Sequence, residues 1–289
     1  MNASVALTRT LSRRRWAKDR AFTGFLWVCG ILAMLPLLFI AAYVVARGAS
    51  AINFDFFTKE PAPPGEAGGG IVQSFIGTGI IVGIATAISV PLGVLSAVYL
   101  SEYGRGRLAG TIRFVAEILL STPSIVAGAF IWAVVVVALG NFSAFAGALA
   151  LTVLMWPIIT RATEEILKLV PQDLREGALA LGIPRWKVIL RIVVPTAGAG
   201  IFTSVMLALA RGLGETAPIL LTALGNEFIN VDPSQPTDAV PLRVYNYART
   251  PVEAFHAIGW GAALILLVGV LALSITARIL SNRQQRRIR

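Results

Sequence analysis

The chain has 289 residues, 56% of them hydrophobic and only 14% charged, with a mean hydropathy of +0.76. That composition excludes an ordinary soluble domain and places the chain in a bilayer. The formal net charge of +10 is no nucleic-acid footprint, because the basic residues sort by membrane side, as the order of elements makes plain.

Residues 1–20 form a basic tail whose Arg13-Arg14-Arg15 run suits anionic lipid headgroups. The apolar run 21–46 follows. About 20 apolar residues cross the hydrocarbon, and this run is too long and lacks the cleavage site of a signal peptide, so it reads as a retained peripheral helix. It holds Cys29, the only cysteine, which rules out a disulfide or multi-cysteine metal site within one chain. Residues 47–73, with Pro61, Pro63, Pro64 and Gly68-Gly69-Gly70, read as an irregular extracytoplasmic loop. Beyond it lies a five-helix core over 74–280.

Core spans are predicted at 74–100, 114–139, 143–164, 196–223 and 254–280, making six in all. Pro91 and Pro123 each remove a backbone hydrogen bond, so kinks or local unwinding are expected there. Around the second, the hydroxyls of Ser121, Thr122 and Ser124 either wall a polar pathway or satisfy their own helix carbonyls. Gly140-Asn141 makes a short hairpin, so the spans on either side should be neighbours. Abundant glycine and alanine in the core let helix backbones approach closely. Arg161, near the end of 143–164, is a pathway candidate or a snorkelling boundary arginine.

Between 165 and 195 the chain turns polar and basic. Asp173 and Glu176, just after Pro171, have the spacing of a capping box. Leu174, Ala178 and Leu181 then share a helix face, with Arg175 and Glu176 pointing elsewhere. Gly182 is placed to end that helix and Pro184 to open a second, where Trp186, Lys187 and Arg191 suit a membrane-water boundary. The residues alone fit a docking element or an interfacial helix without a partner.

In the 196–223 span, Arg211 falls about 22 Å and Glu215 about 28 Å along the helix from Thr196. A charge at that depth must face protein or water, and the four-residue spacing lets the two pair on one face. Three roles are open: an ion pair that fixes helix rotation, an anion contact through the planar guanidinium, or a proton relay. His256, the only histidine, sits at an outer boundary and reads as structural, which nearly excludes histidine-based catalysis. No lysine follows a glycine, so the phosphate-cradling G-K-[ST] loop is missing and any ATP chemistry belongs to a partner. Residues 281–289 form a second basic tail. Twenty of the twenty-five Lys and Arg residues lie in 1–20, 101–113, 161–195 and from 278 onward, which predicts both termini in the cytoplasm.

Glu176-Gly177-Ala178, then Gly182, Ile192 and Pro195, have the spacing of the EAA signature, and the chain resembles the membrane subunits of binding-protein-dependent ABC importers. Gly177 stands where that signature usually has alanine. The runs RGLGETAP at 211–218, PLRVYNYA at 241–248 and STPSIVAG at 121–128 are similar to the A-type permease subunits of phosphate-specific importers. The resemblance covers essentially 74–280. It implies an all-α polytopic membrane protein of six transmembrane helices with a MetI-like ABC importer permease core, in a prokaryotic plasma membrane. It further implies a homologous second permease, an ATPase dimer supplying ATP and magnesium, an extracytoplasmic phosphate-binding protein, and inorganic phosphate as cargo. Docking on the ATPase would involve Asp173, Glu176, Gly177, Ala178, Gly182 and Pro184. Arg211 and Glu215 would be tied to transport, with Arg161, Ser121, Thr122 and Ser124 as further pathway candidates. Sulfate or molybdate as cargo, or a stand-alone secondary transporter, are the other readings.

Overall fold

A computed structural model describes the backbone of residues 13–288 except 64, 65 and 67, and side chains from Trp16 to Ile279 with a few omissions. The expected headgroup contacts of Arg13-Arg14-Arg15, and the side chains of the 281–289 tail, lie outside the described residues. Among those described, the structure is helical, with two isolated bridges, Pro61 to Gly69 and Leu224 to Thr237, as the β pairings.

The chain divides into two units, residues 1–46 and 47–289. The described residues of the first lie in one long helix, α1 (Arg13–Gly48), apolar and open over most of its length, with Phe25, Trp27 and Phe39 all exposed. Such a surface is what a bilayer covers.

The second unit begins with α2 (Phe54–Thr58), a short helix in the segment expected to be irregular. Asn53 caps it by accepting from the Phe56 N–H at 2.8 Å, and Phe56 is buried among Ile71, Val240 and Phe255. Next come α3 (Val72–Val98), running into a π-helical turn Tyr99–Tyr103, then α4 (Arg107–Ser121) and α5 (Ser124–Ile131). A second π turn leads to α6 (Val137–Leu139), and α7 (Ala144–Lys168) follows. The polar segment folds as α8 (Gln172–Ala180) and α9 (Arg185–Val188), a π turn and α10 (Val194–Gly214). The chain closes with α11 (Ala217–Thr222), α12 (Val240–Arg249) and α13 (Glu253–Ile288).

Among the described residues, five helices are long and apolar enough to cross a membrane, and a sixth crossing exists if α4 and the stretch Ser124–Leu139 count as one broken span. The break between them is a bend of 110°. The predicted span 114–139 is therefore not one helix with a kink. Thr122, preceding Pro123, is forced into extended backbone (φ −76°, ψ 131°), which stops α4 outright. Pro91 has no such effect: α3 continues through it, held along its length against α7.

α7 is the axis of the second unit. Two-thirds of its apolar window is buried, about twice the share of the other core spans. Ala144, Ala148, Leu151, Met155 and Ile159 on α7 meet Ile81 and Ala85 of α3, Ala208 of α10 and Ile219 of α11. Small residues make this possible in lipid, where helices gain from close packing rather than from hydrophobic burial. A Cβ on Gly93 would lie 2.7 Å from the Ile159 side chain. The Gly140 turn adopts a left-handed conformation, and α5 and α7 are neighbours as the hairpin predicted.

Candidate functional site

The polar segment folds around its glycine. Gly182 has φ +77°, and the end of α8 is a complete Schellman motif. The Gly182 N–H donates to the Leu179 carbonyl at 2.9 Å and the Ile183 N–H to the Ala178 carbonyl at 3.3 Å, while Ala178 and Ile183 share one apolar cluster. α9 then opens directly after Pro184. The expected capping box is absent, since α8 starts at Gln172 with Pro171 as its cap and Asp173 already lies inside the first turn. There its carboxylate still faces the positive end of the helix dipole. Ala178 is buried, but Leu174, Leu179 and Leu181 are exposed, Leu181 by 82%. Glu176 and Gly177 are exposed as well, and no side chain of the second unit lies within 4 Å of where a Cβ on Gly177 would be.

Arg175 departs from expectation, because it turns inward rather than away. Its guanidinium donates to the carbonyls of Val170 and Leu167 at 2.6 and 2.8 Å and to Glu102 Oε1 at 2.9 Å. Arg185 donates to the Glu102 carbonyl and lies over the Tyr103 ring at 4.9 Å. The whole α8–α9 segment is thus stapled to the π turn that ends α3.

A second charged cluster stands beside it. Glu164 of α7 has no exposed side-chain surface and meets Arg113 Nε at 2.9 Å, Arg161 Nη1 at 3.1 Å and Lys168 Nζ at 3.1 Å. Arg161 also reaches Glu117 of α4 at 2.9 Å, so it is an interhelical pair partner. Arg113 donates onward to the Leu100 carbonyl at 3.0 Å, beside the same π turn. Glu102, Arg113 and Glu164 were missed from sequence. The Arg161-Glu164-Lys168 spacing was a readable signal, since three- and four-residue offsets share a helix face; the reach from 102 to 175 was not.

Arg211 and Glu215 do pair, Nε to Oε1 at 3.3 Å, but not within one continuous helix. α10 ends at Gly214, Glu215 is extended (φ −77°, ψ 126°), and α11 restarts at Ala217 with Pro218 in its first turn. The predicted span 196–223 is therefore broken at the pair. Gly212 and Gly214 weaken the last turn, and Pro218 belongs at a helix start. Arg211 occupies the final turn of α10, where the helix dipole favours a cation. Its side chain is 49% open, against 14% for Glu215. In the other broken span, Ser121 Oγ donates to the Glu117 carbonyl at 2.9 Å and Thr122 Oγ1 to that of Ile118 at 2.7 Å. Two of the three hydroxyls thus serve their own helix. The far halves of the two broken spans pack together: a Cβ on Gly128 of α5 would lie 2.6 Å from Pro218 Cα of α11.

The PLRVYNYA stretch has a structural job at the opposite end from α8. Arg243 is buried against Asp238, with Nε to Oδ2 at 2.8 Å, and lies over the Tyr247 ring. Ser74 Oγ of α3 donates to the same carboxylate, and the Val240 N–H donates to Thr78 Oγ1 at 2.9 Å. Gly77 lets the strap lie flat on α3, since a Cβ there would be 2.0 Å from the Asp238 carbonyl oxygen. Burial pushes the Asp238 carboxyl up against the pull of Arg243, and burial likewise raises the Tyr247 hydroxyl. His256 Nε2 meets the Thr250 carbonyl at 2.8 Å, a local contact of the kind expected of it.

Broken spans around a charged pair, a small-residue core and a stapled polar segment define a polytopic helical membrane protein of the transport-permease class. A family described as the binding-protein-dependent transport system inner membrane component matches residues 89–289, and the chain belongs to that family. It is 41% identical to the phosphate transport system permease protein PstA of Yersinia pestis, over 88% of this chain and 87% of that protein. PstA of Xylella fastidiosa (strain Temecula1) is 40% identical over 98% of both chains, and PstA 1 of Mycobacterium tuberculosis H37Rv 38% over 96% and 93%. Among solved structures, the chain matches one of inward-facing conformations of the MetNI methionine ABC transporter. That match has a TM-score of 0.57 and 19% identity, over 74% of this chain and 94% of that one, a likeness of fold.

Proposed function

We propose that this chain is one permease half of an ATP-driven phosphate importer. The observation that carries the cargo is the similarity, over nearly its whole length, to proteins named as phosphate transport system permeases. In this reading the basic end, with α8 and α9, faces the cytoplasm, as the positive-inside rule directs. The exposed Leu174, Leu179 and Leu181 receive a separate ATPase dimer, which binds and hydrolyses ATP with magnesium. A homologous second permease completes the pathway, and an extracytoplasmic phosphate-binding protein delivers the anion to the acidic end.

Arg211 is the anion contact. A half-open guanidinium in an apolar span cannot face lipid without cost, so it faces water or the partner permease. Its planar donors fit a tetrahedral oxyanion, and Glu215 holds it when the pathway is empty and limits how tightly the anion is retained. The Ser124 hydroxyl has no hydrogen-bond partner among the described residues and stands at the corner of the other broken span, and with Ser121 and Thr122 it forms a polar wall. Arg161 acts through Glu117 and Glu164 rather than on the anion.

Reconstitution with the candidate partner subunits in proteoliposomes tests this. Labelled phosphate should enter only with ATP, and Arg211→Gln should reduce uptake at least about tenfold, the scale of one lost charge-assisted contact, with assembly intact. Uptake of sulfate but not phosphate would move the assignment to another oxyanion. Uptake driven by an ion gradient without the ATPase would sink it.

A further inference from the structure

Between the α3 turn and α8–α9 lies an open cleft of about 310 Å³ that the transport reading does not use. Its walls are mainly polar, and they carry Arg105, Lys168, Arg175 and Arg185 against a single carboxylate, Glu102. Lys168 is balanced by Glu164 and Glu165, and Arg175 is committed to Glu102 and two carbonyls. Arg105 and Arg185 remain as unbalanced charge. Arg185 is fixed in place by the Glu102 carbonyl and the Tyr103 ring, so its remaining donors are held without further loss of side-chain freedom. Arg105 follows Gly104 in the loop after that turn; its backbone N–H donates to the Tyr103 carbonyl at 2.7 Å, while its exposed side chain lines the cleft and makes no hydrogen bond or ion pair among the described residues. Gln172, also lining the cleft, is the first residue of α8, and that helix begins without a side-chain cap, so its first-turn N–H groups and dipole add to the positive field.

We infer that this cleft binds a phosphate-class oxyanion between Arg105 and Arg185. Two planar guanidinium forks around a small polar space suit a group with several acceptor oxygens better than a single carboxylate, which two arginines would over-neutralise. The oxyanion has two sources at a membrane-water boundary, the headgroup of an anionic phospholipid or free inorganic phosphate. Because the walls come from both the α3 turn and α8–α9, an occupant ties the docking segment more firmly to the core.

Hydrogen exchange of the full chain reads the site directly and independently of transport. The purified chain is compared in sodium phosphate and in sodium chloride of equal ionic strength, and in nanodiscs of phosphatidylcholine with and without phosphatidylglycerol. Amides of 99–106 and 183–188 should slow with at least one probe. Slowing by inorganic phosphate identifies the free anion as the occupant, and slowing by phosphatidylglycerol alone identifies the headgroup. In Arg105→Glu, a position whose side chain has no partner to lose among the described residues, the half-saturating level of the effective probe should rise about tenfold, while exchange over 255–265 stays unchanged. The inference is overturned if neither probe slows these amides, or if Arg105→Glu is protected as fully as the native chain.

Discussion

Glu164 gathers more opposite charge than any other described residue, and its stability contribution is open to measurement. Three cations converge on a carboxylate with no exposed surface, while their own side chains are 30 to 46% open. Breaking a fully buried pair costs about 3–5 kcal/mol. Solvent around the three cations screens part of that here, so Glu164→Gln should cost about 2 kcal/mol. Thermal unfolding of the purified complex should show a clearly lowered midpoint, and an unchanged midpoint would mean the cluster is ornamental. At this scale the sequence disclosed Arg211, Glu215 and Arg161 because a charge in an apolar run stands out. It hid Glu102 and Arg113, whose partners lie tens of residues away, and it mistook Arg175 for an outward residue because helical periodicity says nothing of what waits on the polar side.

Among the elements, α8 depends most on one backbone angle. With φ at +77°, Gly182 permits the Schellman pair of hydrogen bonds that sets the direction in which α9 departs. A β-branched side chain resists that conformation by roughly 1–2 kcal/mol, so Gly182→Val should reorient the segment and weaken ATPase association about tenfold or more. Co-purification of the ATPase measures it, and undiminished recovery would remove Gly182 from the docking role. The same scale shows why Pro91 and Pro123 part company. Both were expected to kink or locally unwind their helices, and only at Pro123 is the helix interrupted. α3 is pinned along α7 and rides through its proline, whereas around Pro123 a pre-proline Thr122 turns extended and hydroxyls take up the last carbonyls. Periodicity located both spans, but tertiary support decided which survived whole. Asn53, a cap just before Phe54 and Asp55, was legible and overlooked because prolines and glycines nearby suggested only a loop.

For the whole molecule, orientation is the property most directly inferred from charge, and a single cysteine makes it testable. In a Cys29→Ser background, Leu169→Cys and Phe228→Cys both sit at surface positions, 77% and 70% exposed, at opposite ends of the core. A membrane-impermeant maleimide applied to intact cells should label Phe228→Cys, whereas Leu169→Cys should react only after the membrane is opened. The reverse pattern would invert the topology and with it the direction of transport.

The 110° corner at Thr122-Pro123 also has a bearing on the lipid around it. Only Ser124–Leu139 remains to cross in that direction, a rise of roughly 24 Å at about 1.5 Å per residue, against a hydrocarbon layer of about 30 Å. Such hydrophobic mismatch is met by local thinning of the bilayer. Local thinning would draw headgroups and water inward beside the hydroxyl-rich corner.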